Sequence, residues 1–123
     1  MKILVVEDNE IRMDFFRTVL LEDTLTFATT SVEAVCLLEK NQYDLILLDM
    51  DLDDGLGQGL VVARWLKDAK NTYVDVIVHS MNISAADEAR RLLPGTHVVP
   101  IAEMKRMVSR FGREGLIERI LDA

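Results

Sequence analysis

Only one cysteine, Cys36, stands among the 123 residues, so an intrachain disulfide is excluded. It sits between Val35 and Leu37, and that apolar setting predicts a buried, inert thiol. Positive charge is scarce: 14 Lys and Arg face 21 Asp and Glu, for a net charge of −7 at pH 7. A nucleic-acid partner needs a surplus of Lys and Arg on one face, so no nucleic-acid binding is expected. The basic residues that gather late, Lys105, Arg106, Arg110, Arg113 and Arg119, have acids among them and read as a solvated helix face. No apolar run nears the ~20 residues that cross a bilayer, so no membrane span is expected. The first apolar run stops at Glu7, too early for a signal peptide, and a cytoplasmic protein is expected. Repeats, linkers and low-complexity tracts are also missing, and the length suits one domain over residues 1–123.

What the chain does have is a set of short apolar runs that end in acids. Ile3-Leu4-Val5-Val6 leads into Glu7-Asp8, and Leu45-Ile46-Leu47-Leu48 leads into Asp49 and Asp51. Continuous apolar runs of this length suit strands covered on both faces of a parallel sheet. Strand-like and helix-like stretches alternate. A helix is predicted over Asn9–Leu21, with Asn9 as N-cap and Ile11, Phe15 and Val19 on one face. Leu25–Ala28 reads as a strand. Thr30-Ser31-Val32-Glu33 has the spacing of a capping box opening a helix to about Lys40. Asp44–Leu48 is the central strand, Asp51–Gly59 a Gly- and Asp-rich loop, and Leu60–Ala69 a helix. Val74–Val78 is a fourth strand, followed by a helix over Ser84–Leu93 with Ser84 as candidate cap. His97–Val99 is a short fifth strand stopped by Pro100. From Ile101 to Leu121 the pattern is helical but interrupted by Gly112 and Gly115, giving two short helices or one frayed helix. Trp65, Phe15, Phe16 and Phe27 fit core packing. The expected fold is α/β, a doubly wound five-stranded parallel sheet of five βα units with right-handed crossovers.

In such sheets ligands bind outside the carboxyl ends of the strands. Those exits hold Glu7 and Asp8, Asp49 and Asp51, His79 and Ser80, then Val99 and Pro100. Clustered carboxylates repel, and a hard divalent cation such as Mg²⁺ or Mn²⁺ is the natural counter-charge. The Ser80 hydroxyl is suited to a phosphoryl oxygen. Gly55, Gly57 and Gly59 lack the Lys-Ser/Thr of a Walker-type loop and read as flexibility beside the site.

The stretches Lys2-Ile3-Leu4-Val5-Val6-Glu7-Asp8-Asn9, Tyr43-Asp44-Leu45-Ile46-Leu47-Leu48-Asp49 and Val76-Ile77-Val78-His79-Ser80 resemble the receiver domain of two-component response regulators. The resemblance implies a flavodoxin-like receiver fold with Asp49 as phospho-acceptor. It also implies Mg²⁺ bound directly by Asp8, through water by Glu7 and by the Asp51 backbone carbonyl, with Ser80 as the switch hydroxyl. Two positions depart from the family. Val99 stands where members carry a Lys before the proline after the fifth strand, and Asp53 stands where a proline usually follows the phospho-acceptor. The pair Asp49-Met50-Asp51-Leu52 and His79-Ser80-Met81-Asn82 is similar to the cyclic-phosphate-processing receiver-like branch, which implies that Asp51 adds a carboxylate for a second metal and that His79 replaces the missing Lys as ligand or general acid.

The expectation is a stand-alone signalling module. A histidine kinase or phosphotransfer protein phosphorylates Asp49 with Mg²⁺, and a switched surface contacts a downstream effector or a second copy in a homodimer. Against it stand a metal-dependent domain that binds or hydrolyses a cyclic nucleotide or other phosphate ester, and a pseudo-receiver that is never phosphorylated.

Overall fold

The computed structural model describes residues 1–69 and 74–121, with side chains described through residue 118. Strands and helices alternate as β1 (Lys2–Val6), α1 (Glu10–Val19), β2 (Thr24–Ala28), α2 (Ser31–Lys40), β3 (Leu45–Leu48), α3 (Gly59–Asp68), β4 (Asp75–Val78), α4 (Ile83–Leu92), β5 (His97–Val98), α5 (Ile101–Phe111) and α6 (Arg113–Leu121). The strands form one all-parallel sheet in the order β2-β1-β3-β4-β5. This is the doubly wound parallel sheet that the alternation of runs predicts, in the flavodoxin-like receiver arrangement that the resemblance implies.

Side chains alternate across a strand, so each apolar run feeds two cores. Leu4, Val6, Ile46, Leu48, Val76 and Val78 pack with α2, α3 and α4. Ile3, Val5, Leu45, Leu47 and Ile77 pack on the other face with Phe16, Leu20, Met104 and Leu116 of the α1, α5 and α6 side. That two-faced burial explains why the central runs contain no polar residue. The register sets Val6 beside Leu48 and Leu48 beside Val78. One residue further, the Asp49 N–H donates to the Val6 carbonyl at 3.0 Å and the His79 N–H to the Leu48 carbonyl at 3.1 Å. The sheet thus delivers Glu7, Asp49 and His79 side by side.

Helix starts follow side-chain caps. Asn9 accepts from the Arg12 N–H and Thr30 from the Glu33 N–H, while the Glu33 carboxylate accepts from the Thr29 N–H. At α4 the cap is Asn82, which accepts from the Ala85 N–H at 3.1 Å, so Ser84 lies inside the helix. The C-terminal stretch is two helices, broken at Gly112, whose φ of +65° favours glycine.

Two surface expectations are overturned. The buried stripe of α2 is Ser31, Ala34 and Leu38, and Cys36 points to the opposite, exposed side. The core stripe of α1 continues through Met13, Phe16 and Leu20, which leaves Ile11 exposed and Phe15 and Val19 on the flank. In the late basic group Lys105, Arg106 and Arg110 are exposed, whereas Arg113 holds Asp23 with contacts of 2.7 and 2.8 Å. The Arg119 side chain lies outside the described residues. Among the described residues no helix is long and apolar enough to cross a membrane.

Leu47 has no exposed surface, so Leu47→Ala is expected to cost about 2–5 kcal/mol in denaturant unfolding. Cys36→Ser is expected to stay within about 0.5 kcal/mol of the parent, and native Cys36 to react with a thiol reagent without unfolding.

Candidate functional site

Glu7, the first residue past β1, has no exposed surface. Its Oε1 pairs with His79 Nε2 at 2.9 Å and accepts from Arg12 Nε at 2.5 Å. Its Oε2 accepts from the Asp8 and Asn9 N–H groups at 2.9 and 3.2 Å, and from Arg12 Nη2 at 3.3 Å. Burial alone would raise the pKa of this carboxyl; the contacts from His79 and Arg12 outweigh it and hold Glu7 well below the usual range. The Arg12 guanidinium also reaches Asp49 Oδ2, at 3.4 Å.

Asp49 is buried at the exit of β3, its Oδ1 accepting from the Met50 N–H at 2.8 Å. Burial pushes its pKa up; His79 opposes that by charge, Glu7 reinforces it, and the Ser80 hydroxyl and Arg12 oppose it. Asp8 is pushed up to about 6, by burial first and then by Glu7 and Asp53. His79 stacks edge-on against Phe16, with centroids 5.1 Å apart, and its buried Nδ1 has no hydrogen-bond partner among the described residues. Ser80 Oγ accepts from the Asn82 N–H at 3.0 Å.

The acidic loop after β3 is tied down. Asp51 Oδ1 accepts from the Gly57 N–H at 2.8 Å and from Asn82 Nδ2 at 2.9 Å. The Asp54 carboxylate accepts from both the N–H and the hydroxyl of Ser31 at the start of α2. Gly59 serves close packing: a Cβ there would lie 2.3 Å from the Asp49 carbonyl oxygen and 2.7 Å from Met50 Cα.

Among the described residues, Glu7, Asp49 and His79 each offer a ligand atom within 4.8 Å of the others, so the site can hold a metal ion. Asp8 and Asp51 lie outside that group. The oxygen donors suit a hard cation: the Asp8 and Asp49 carboxyls are both held above their ordinary range, by burial first and with the Glu7 charge adding to it. Glu7 already accepts from Asp8, Asn9 and Arg12 and pairs with His79, and Asp51 Oδ1 accepts from Gly57 and Asn82. Val99, in the position of the expected Lys, packs against the second core. Lys105 lies over the Phe15 ring and Lys2 over Tyr43.

The family described as Cyclic-phosphate processing Receiver domain matches residues 3–94. The chain belongs to this receiver-domain family. It is 35% identical over 91 residues to the polar-differentiation response regulator DivK of Brucella ovis, covering 72% of each chain. The receiver domain of the Francisella response regulator 1452 superposes with a TM-score of 0.68 at 24% identity, over 96% of this chain and 91% of that one. The receiver domain of the sensor histidine kinase PA1611 of Pseudomonas aeruginosa PAO1, solved with magnesium in its active-site cleft, gives a TM-score of 0.66 at 26% identity, covering 89% and 94%. The protein is thus a divergent receiver domain of the response-regulator type.

The sequence reading missed Arg12 and the Asp51–Asn82 bond. One signal was available for Arg12: a cation in the first turn of a helix opposes the macrodipole, which points to an anionic partner nearby.

The Asp8 shift carries a sign. Between about pH 4 and 6 the native receiver holds a proton that the unfolded chain releases, so ionising Asp8 lowers stability as pH rises through that window. Asp8→Asn is expected to raise the metal-free melting temperature at pH 7.5, with the gain fading toward pH 4. Gly59→Ala should cost about 1–3 kcal/mol and shift the Asp49 amide resonance.

Proposed function

We propose that this receiver accepts a phosphoryl group on Asp49 and passes the change to the start of α4. The observation that carries this reading is the placement of Asp49: buried at the exit of β3, with a carboxylate oxygen within 4.8 Å of ligand atoms of Glu7 and His79. The Met50 N–H occupies Oδ1 and orients the carboxylate, leaving Oδ2 as the attacking oxygen. That oxygen forms the new O–P bond while the donor's P–N bond breaks, and the electron pair leaves on nitrogen. Asp8 and Asp49 would hold Mg²⁺ or Mn²⁺, which neutralises charge on the transferring group. The donor we propose is a histidine kinase or phosphotransfer protein in the cytoplasm.

The added oxygens compete with Asn82 for Ser80. Because the Asn82 N–H bonds Ser80 and its side chain caps α4, moving Ser80 disturbs the first turn of that helix. Met81 and Ile83, both more than 70% exposed, belong to the surface offered to an effector or a second copy.

Processing of a cyclic phosphate is the second reading, favoured by the description of the matching family. Against it, His79 has Nε2 committed to Glu7 and is buried, which leaves it poorly placed as a general acid toward substrate.

Incubation with phosphoramidate and Mg²⁺, followed by intact mass measurement, tests the first reading. A phosphoryl adduct is expected in the parent and none in Asp49→Asn; no adduct at saturating donor and Mg²⁺ would overturn it. Turnover of a cyclic nucleotide that is lost in Asp49→Asn and His79→Ala would favour the second.

A further inference from the structure

A buried carboxylate that becomes an acyl phosphate exchanges one negative charge for about two, beside a Glu7 that stays ionised. Some cation must meet that charge. Val99 supplies none after β5, and Lys105 and Lys2 are engaged with aromatic rings. Among the described residues, Arg12 is the Lys or Arg paired with this cluster.

Its two ends are unequal. Nε holds Glu7 Oε1 at 2.5 Å, whereas Nη2 reaches Glu7 Oε2 at 3.3 Å and Asp49 Oδ2 at 3.4 Å. The first contact is short and anchors the guanidinium; the others are long and easily exchanged. The side chain is 28% exposed while Glu7 is fully covered, so Arg12 lies between the acids and solvent. A guanidinium is always charged and its planar fork suits phosphoryl oxygens.

We propose that Arg12 is the resident counter-cation of this site: anchored on Glu7, it occupies Asp49 at rest, competes there with a divalent cation, and turns Nη2 to the phosphoryl oxygens once Asp49 is acylated. The phosphoryl half rests on Asp49 as acceptor; the competition half does not. In the transfer, Asp49 Oδ2 bonds to phosphorus, the P–N bond of phosphoramidate, already protonated on nitrogen, breaks, and ammonia leaves with the electron pair. Arg12 exchanges no proton and contributes charge alone.

Arg12→Gln and Arg12→Lys test both halves. Calorimetric titration with Mg²⁺, which needs no phosphoryl transfer, is expected to give a Kd about fivefold or more tighter in Arg12→Gln, because a competing cation is gone. The rate of adduct formation from phosphoramidate at saturating Mg²⁺ is expected to fall about tenfold or more. Arg12→Lys keeps the charge without the fork and is expected to fall between. A merely structural ion pair would lower the melting temperature without tightening Mg²⁺. A Kd unchanged or weakened in Arg12→Gln overturns the competition, and an unchanged rate overturns the phosphoryl contact. A parent protein that forms no adduct sinks the acceptor reading and the phosphoryl half with it, while the Mg²⁺ titration still decides the competition. If Arg12→Gln does not fold, the Arg12 Nε–H resonance of the parent decides: it is expected to move on Mg²⁺ saturation, and no movement overturns the competition.

Discussion

A carboxylate with no exposed surface has to be compensated from every side, and Glu7 at the mouth of the sheet is such a group. Its oxygens collect the Asp8 and Asn9 N–H groups, the Arg12 guanidinium and His79. Leaving an ion of this kind unpaired would cost several kcal/mol. Much of the local architecture follows from this demand: the turn into α1 aims its N–H groups inward, Arg12 lies across the acids, and His79 is drawn to the end of β4. Asp49 shares in the same positive charge at longer range.

The compensation depends on where the strands end. Parallel neighbours in register bring their exits to one edge, and β1, β3 and β4 stop in step. Residues 42 and 30 positions apart in the chain become adjacent without any long loop having to fold back. The cores on the two faces hold that edge rigid, so polar groups can sit close together with few degrees of freedom left to lose. A receiver domain gains its reactive geometry from the stiffness of an apolar sheet.

Much of this was legible in the sequence because it follows from short-range rules. Five short strand-like segments, alternating with helical patterns, specify parallel strands, and the alternation within Ile3–Val6 and Leu45–Leu48 assigns residues to the two cores. Asp49, Glu7 and His79 could be named because strand exits are defined by where the runs stop. What stayed hidden depends on facing. Cys36 lies in an apolar stretch, yet helix rotation turns it outward; Ile11 is turned to solvent for the same reason. Arg12 and the Asp51–Asn82 bond join elements through side-chain reach, which spacing along the chain does not encode.

The Asn82 side chain has both of its ends engaged: the oxygen caps α4 and the nitrogen donates to Asp51. No other residue of similar size does both. Aspartate would cap the helix but repel Asp51, and serine would cap it without the donor at that reach. A change at either position therefore strands the other, so relatives of this chain should vary there in concert. One amide makes two loops on separate strands a single unit of inheritance.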